Sequence, residues 1–158
     1  MKEGLAEIIC IIDRSGSMGL IKRDAIAGFN TFLEEQKKLP GEATLTLIQF
    51  NTESEVIHEN KPLSEVNPIS NKDYIPSGST ALFDAIGKAI DSTGRRLANT
   101  PEENRPEKVI VAILTDGQEN ASKTFNLRII NDMIRHQRED IHGSSFTWGL
   151  IRMRSPKL

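Results

Sequence analysis

Two apolar runs, each leading into an aspartate, restrict this chain more than any other feature of its sequence. Ala6-Glu7-Ile8-Ile9-Cys10-Ile11-Ile12 runs into Asp13, and Val109-Ile110-Val111-Ala112-Ile113-Leu114 is followed by Thr115 and Asp116. Short, nearly unbroken apolar runs rich in β-branched residues suit strands covered on both faces, as in parallel α/β sheets. Between the runs the period changes. Ile21, Ala25, Phe29, Phe32 and Leu33 recur at helical spacing until Pro40-Gly41, and a proline followed by a glycine ends a helix. Ala43 to Phe50 alternates, with Leu45, Leu47 and Gln49 facing opposite to Thr44, Thr46 and Ile48. Ser54 to Glu59 reads as a short strand returning through Asn51-Thr52-Glu53. Residues 60–79 are loop-like. Leu82, Ala85, Ile86, Ala89, Ile90 and Leu97 then form one helical stripe. Asn99 to Pro106 reads as a polar connection. A third helix is expected over 124–138 through Ile129, Ile130, Met133 and Ile134, and a last strand near Phe146 to Ile151.

Strand–helix alternation of this kind predicts a Rossmann-like, doubly wound sheet, mostly parallel with one antiparallel edge strand and with helices on both faces. Ile8 to Ile12 and Val109 to Leu114 are its expected innermost strands. The length of 158 residues accommodates one domain with one real core, and no repeat or low-complexity segment divides it.

Composition removes several classes of function. A net charge of −2 gives no global basic field for nucleic acid or an anionic membrane, and six Phe, one Tyr and one Trp offer little for base stacking. No segment approaches the roughly 20 apolar residues of a membrane span. Met1 to Glu7 does not have the pattern of a secretory signal, so the expected location is cytoplasmic. The lone Cys10 lies inside an apolar run and reads as a small core residue, which excludes a disulfide framework and a cysteine-based metal cluster. The Glu34-Glu35-Gln36-Lys37-Lys38 run reads as a solvated helix face.

The chemistry collects where the strands end. In an open α/β sheet, ligands bind beyond the carboxyl ends of the strands, and two adjacent strands would bring Asp13 and Asp116 close together there. Ser15 and Ser17 follow Asp13 in a glycine-containing loop, and Gly78-Ser79-Thr80 offers a further hydroxyl ahead of the Leu82 helix. All five groups are hard oxygen donors, a set that suits Mg²⁺, Mn²⁺ or Ca²⁺ and disfavours Zn²⁺ or copper. Two carboxylates leave a divalent ion near neutrality. Mg²⁺ prefers six oxygens, so at least one position remains for water or an incoming carboxylate. The pattern therefore predicts a socket for an acidic side chain.

Asp13-Arg14-Ser15-Gly16-Ser17 resembles the Asp-x-Ser-x-Ser signature of von Willebrand factor type A domains. Gly78-Ser79-Thr80-Ala81-Leu82 with Asp84-Ala85-Ile86 is similar to that family's threonine loop, and Leu114-Thr115-Asp116-Gly117 to its final Asp-Gly element. The three parts occur in the family's order, over residues 6 to about 138. The resemblance implies a metal-ion-dependent adhesion site of the bacterial or phage-type intracellular kind, with Ser15, Ser17 and Thr80 as ligands and Asp13 and Asp116 bound directly or through water. It implies a protein partner that presents an Asp or Glu carboxylate, and no catalytic residues.

Other chemistries fit less well. Neither serine lies in a G-x-S-x-G elbow, none of His58, His136 and His142 ends a strand near the site, and no phosphate-binding glycine loop is present. The alternative is a Mg²⁺-dependent phosphotransfer or phosphohydrolase enzyme. It would call for a second acid close to the first and a nearby lysine, whereas Arg14 and Ser15 follow Asp13. Residues 139–158 depart from the pattern, being too short for the family's closing helix. Codons allowed for Asp140 to Leu158, read two bases later, give one open frame encoding a strand and a helix start that resemble the family's tail. A frameshifted or truncated end is therefore expected.

Overall fold

The computed structural model describes residues 1–116, 121–138 and the backbone of 147–152. Five strands form one sheet: β1 (Lys2–Asp13), β2 (Glu42–Phe50), β3 (Ser54–Pro62), β4 (Pro106–Leu114) and β5 (Thr147–Arg152), in the spatial order β3-β2-β1-β4-β5. β1 pairs in parallel with β2 and β4, and β4 in parallel with β5. β3 returns antiparallel along β2 as an edge strand. The mostly parallel sheet with one antiparallel edge is the one the sequence predicts, and the two apolar runs lie side by side within it.

Alternation along each strand divides the core into two layers. Ile8, Cys10, Ile12, Leu45, Leu47, Ala112 and Leu114 pack with Ala25, Phe29 and Leu33 of helix α1 (Lys22–Lys37). Ile9, Ile11, Ile48, Phe50, Val109, Val111 and Ile113 pack with Ala85, Ile86, Ala89, Ile90 and Leu97 of helix α2 (Leu82–Ala98) and with Ile130 of helix α3 (Leu127–His136). A strand residue thus contributes to one layer and its neighbour to the other, as period-2 side-chain geometry requires. The chain turns one way from β1 to β2 and the other way to reach β4. The crevice where that direction reverses lies beyond the carboxyl ends of β1 and β4.

Three boundaries differ from the sequence reading. β1 begins at Lys2 rather than Ala6, because Lys2 donates a backbone hydrogen bond to Arg105 across an irregularity in the β1–β4 register. β3 continues beyond Glu59 to Pro62. α3 begins at Leu127 rather than 124: Asn126 caps it by accepting from the Ile129 N–H, while the N–H groups of Lys123, Thr124 and Phe125 are engaged by Asp84. The last strand falls at Thr147–Arg152. The atypical end expected over 139–158 otherwise lies outside the described residues. Among the described residues no helix is long and apolar enough to cross a membrane.

Candidate metal centre at the carboxyl edge

β1 delivers Asp13 to the switch point fully buried, at 0% exposure. One carboxylate oxygen accepts the Ser15 N–H at 2.8 Å, which folds the chain back after the strand, and the other accepts the Thr115 hydroxyl at 2.8 Å. The end of β1 is thereby tied to the end of β4. Ser15 is also buried, and its hydroxyl lies 3.3 Å from that of Ser17. The Ser17 hydroxyl donates to an Asp116 carboxylate oxygen. Four of the five predicted donors therefore form one continuous chain, from Asp13 in the interior to Ser17 and Asp116 at the surface.

Thr80, the fifth, is buried in the adjoining loop. That loop is fastened to the first by the Gly16 N–H on the Gly78 carbonyl at 2.9 Å and by the Ser77 N–H on the Arg14 carbonyl at 2.7 Å. Gly78 adopts φ +77°, a left-handed conformation favouring glycine, and a side chain there would press on Asn51. Asn51 braces the same loop: its amide nitrogen donates to the Ser77 carbonyl, and its own carbonyl accepts the Ala81 N–H.

The residues fit a divalent ion by the chemistry of the donor set. Each carboxylate oxygen of Asp13 has room for two hydrogen-bonding partners and uses one among the described residues. No Lys, Arg or His pairs with this buried carboxylate among the described residues. A buried charge without a cation is costly, and a bound cation would remove the cost. No three His, Cys, Asp or Glu side chains converge among the described residues, so an ion held here would depend on the hydroxyls.

Tyr74 lies beneath the site, fully buried, with its hydroxyl donating to the Asp13 carbonyl. Burial, reinforced by the charges of Asp13 and Asp116, pushes its phenol well above the usual tyrosine range, so it remains a neutral donor. Arg14, the cation next in sequence, is committed to Glu55 at 2.7 Å. His58 sits on β3 opposite Leu47, and His136 ends α3; His142 lies outside the described residues.

Sequence reasoning missed the clamp around this edge. Asp84, in the first turn of α2, accepts from the backbone N–H groups of Lys123, Thr124 and Phe125 at 2.8, 3.0 and 2.9 Å, while its own N–H donates to the Ser122 hydroxyl. The Ala121 N–H meets the Thr80 carbonyl one turn earlier, at 3.0 Å. Phe125 packs so closely on Gly87 that a Cβ there would lie 2.3 Å from its ring. Residues 121–125 are thus fixed along the Thr80 segment and the start of α2. The sequence signal for this clamp was an acid in a helix's first turn, which has many possible uses. Tyr74, Asn51 and Thr115 carried no signal beyond their positions.

No protein-family model and no curated protein sequence matches the chain. Solved structures do. The fold is similar to that of the ArnB paralog VWA2 from Sulfolobus acidocaldarius, at 19% identity and a TM-score of 0.54, covering 96% of this chain and 34% of that one. It is similar to a von Willebrand factor type A protein from Catenulispora acidiphila, at 14% identity and a TM-score of 0.54, covering 98% and 40%. The vWF domain of the type V pili tip protein Mfa5 from Porphyromonas gingivalis matches at 15% identity and a TM-score of 0.51, covering 72% and 38%. The chain has a von Willebrand factor type A-like fold and spans about a third to two-fifths of the length of these proteins.

Proposed function

We propose that the carboxyl edge of the sheet is a metal-ion-dependent adhesion site. Asp13, Ser15, Ser17, Thr80 and Asp116 would hold one divalent ion, Mg²⁺ or else Mn²⁺ or Ca²⁺, and a protein partner would complete the coordination with an Asp or Glu carboxylate. The observation that carries the reading is the fully buried Asp13 carboxylate, which lacks a cationic partner among the described residues and is linked through two serine hydroxyls to Asp116. When bound, the ion would supply an electrophilic centre for the incoming carboxylate. The chain's own residues shape that centre: Thr115 and the Ser15 N–H orient Asp13, and the Asp84 clamp holds residues 123–125 at the start of α2. Exposed Ser17 and half-buried Asp116 leave the outer side open to a partner. The single buried cysteine suits a reducing compartment, and the reading places the module in the cytoplasm, as an interaction domain of the bacterial or phage type rather than an enzyme.

Asp13→Ala is expected to abolish Mn²⁺ or Mg²⁺ binding in isothermal titration while the far-UV spectrum stays native. Thr80→Ala keeps both carboxylates, so it is expected to reduce ion affinity modestly and capture of the partner markedly. Equal Mn²⁺ affinity for wild type and Asp13→Ala would refute the assignment. Turnover of a generic phosphoester with Mg²⁺ would favour the enzymatic alternative.

A further inference from the structure

The surface around Ser17 carries side chains that neither packing nor helix stability accounts for. Ser17 lies in a 3-10 turn spanning Gly16–Ile21. Side chains three residues apart eclipse in that geometry, so Leu20 shares the face on which Ser17 bonds to Asp116. Leu20 is 94% exposed. The segment from Tyr74 to Ser77 runs alongside Asp13 and Arg14, held by the Tyr74 hydroxyl and the Ser77 N–H. Tyr74 points inward, and Ile75 is 66% exposed.

Two cations complete the rim. Lys22 and Arg23 occupy the start of α1, where the helix dipole disfavours positive charge. Lys22 donates to the Asn71 carbonyl at 2.9 Å, which ties the start of α1, with Arg23, to the segment that carries Lys72. Both are exposed, and neither forms an ion pair among the described residues.

We propose that this rim docks a protein segment in which the ion-binding Asp or Glu is flanked by a large apolar residue, seated on Leu20 and Ile75, and by a second acidic residue facing Arg23 and Lys72. The inference rests on the adhesion-site reading and specifies its partner. Apolar side chains beside a carboxylate socket select neighbours of the incoming acid, because covering them removes apolar surface from water. Cations placed against the dipole lose helix stability and gain attraction for an acidic segment.

The test is selection of random heptapeptides displayed on phage against Mg²⁺-loaded protein, eluted with EDTA. Wild type is expected to enrich peptides with an acid next to Leu, Ile, Phe or Met and a second acid nearby. The chosen peptide, resynthesised with a fluorophore, is expected to bind Leu20→Ser/Ile75→Ser at least roughly tenfold more weakly. Arg23→Gln/Lys72→Gln is expected to weaken it less, and to flatten its salt dependence. Mn²⁺ affinity is expected to be unchanged in both double variants, since all four residues lie outside the ligand set. Acidic peptides without an apolar flank, or undiminished binding to Leu20→Ser/Ile75→Ser, would overturn this inference and leave the ion site standing. No EDTA-eluted enrichment of acids at all would overturn the site reading, and the rim proposal with it.

Discussion

Replacing Asp84 tests whether the clamp beside the site supports both the fold and the ion. Its carboxylate accepts three backbone N–H groups at 2.8 to 3.0 Å. Burial pushes its pKa up, but those donors, together with Lys88, outweigh burial and hold it below the usual carboxylate value. A hydrogen bond to a charged group contributes about 1.5–3 kcal/mol at most. Two of the three donors are exposed and can turn to water, so the sum must be discounted heavily. Loss of a carboxylate near the N-terminus of α2 costs up to about 1 kcal/mol more. Asp84→Ala is therefore expected to cost about 2 kcal/mol in urea unfolding at pH 7. Asp84→Asn, which keeps an acceptor for two of the three donors, should cost about half as much. Because the folded pKa is depressed, the carboxylate's contribution is complete above its unfolded value of about 4 and fades only as pH falls through the lower folded value. The difference between wild type and Asp84→Ala should thus narrow at acid pH. Mn²⁺ affinity should fall roughly tenfold or more, as with other supports of a metal ligand. Asp91→Ala, which removes only an exposed pair with Arg95 on the same helix, is the control. If Asp84→Ala matched that control in stability, or lost stability at unchanged Mn²⁺ affinity, the clamp would not support both the fold and the ion.

Two further outcomes follow from buried groups away from the site. Arg96→Met would leave Glu7, 1% exposed and paired to Arg96, as a charge without its partner. The expected cost is roughly 3 kcal/mol at pH 7 by chemical denaturation. Burial already raises the Glu7 pKa, so the cost should shrink toward pH 5 as the carboxyl takes up a proton, and a pH-independent cost would contradict this. The Cys10 thiol is pushed far up by complete burial. It should resist a thiol reagent at pH 8 until the protein unfolds, and prompt labelling of the native protein would contradict its place in the core.

How much of this was legible in the sequence depends on the range of the interaction. The strands that lead to Asp13 and Asp116 could be read because burial on both faces imposes a short apolar run rich in β-branched residues. The convergence of Ser15 and Ser17 on Asp116 followed from the switch-point rule together with the resemblance. Edges were harder. The sequence gives α3 a helical period from about residue 124, yet Asp84, about forty positions earlier, captures the N–H groups of 123–125 and delays the helix to Leu127. β1 reaches back to Lys2 because Arg105 offers a carbonyl there, although Lys2, Glu3 and Gly4 have no strand pattern of their own. In both cases a tertiary partner satisfies backbone groups that local propensity would have assigned elsewhere.

The same logic explains how the site is assembled. Asp13 is held by one N–H and one hydroxyl, both from residues whose backbones continue the two central strands. Its position is therefore set by the sheet and does not require an ion. Ser17 and Asp116 sit farther out and are bonded to each other, with Ser17 in a loop fastened by Gly16 to Gly78. A fixed inner acid with an outer pair nearer the surface can meet an incoming ion–carboxylate unit at little cost to the core. On that view the ion adds stability without being needed for folding. Saturating Mg²⁺ or Mn²⁺ should raise the melting temperature of wild type by a concentration-dependent increment, following RT ln(1 + [L]/Kd). It should leave Asp13→Ala unmoved. Without metal, Asp13→Ala should melt at or above wild type, because it removes a buried carboxylate that has no counter-charge among the described residues. A metal-free Asp13→Ala protein that failed to fold would place Asp13 in the structural core and deny it the role of ligand.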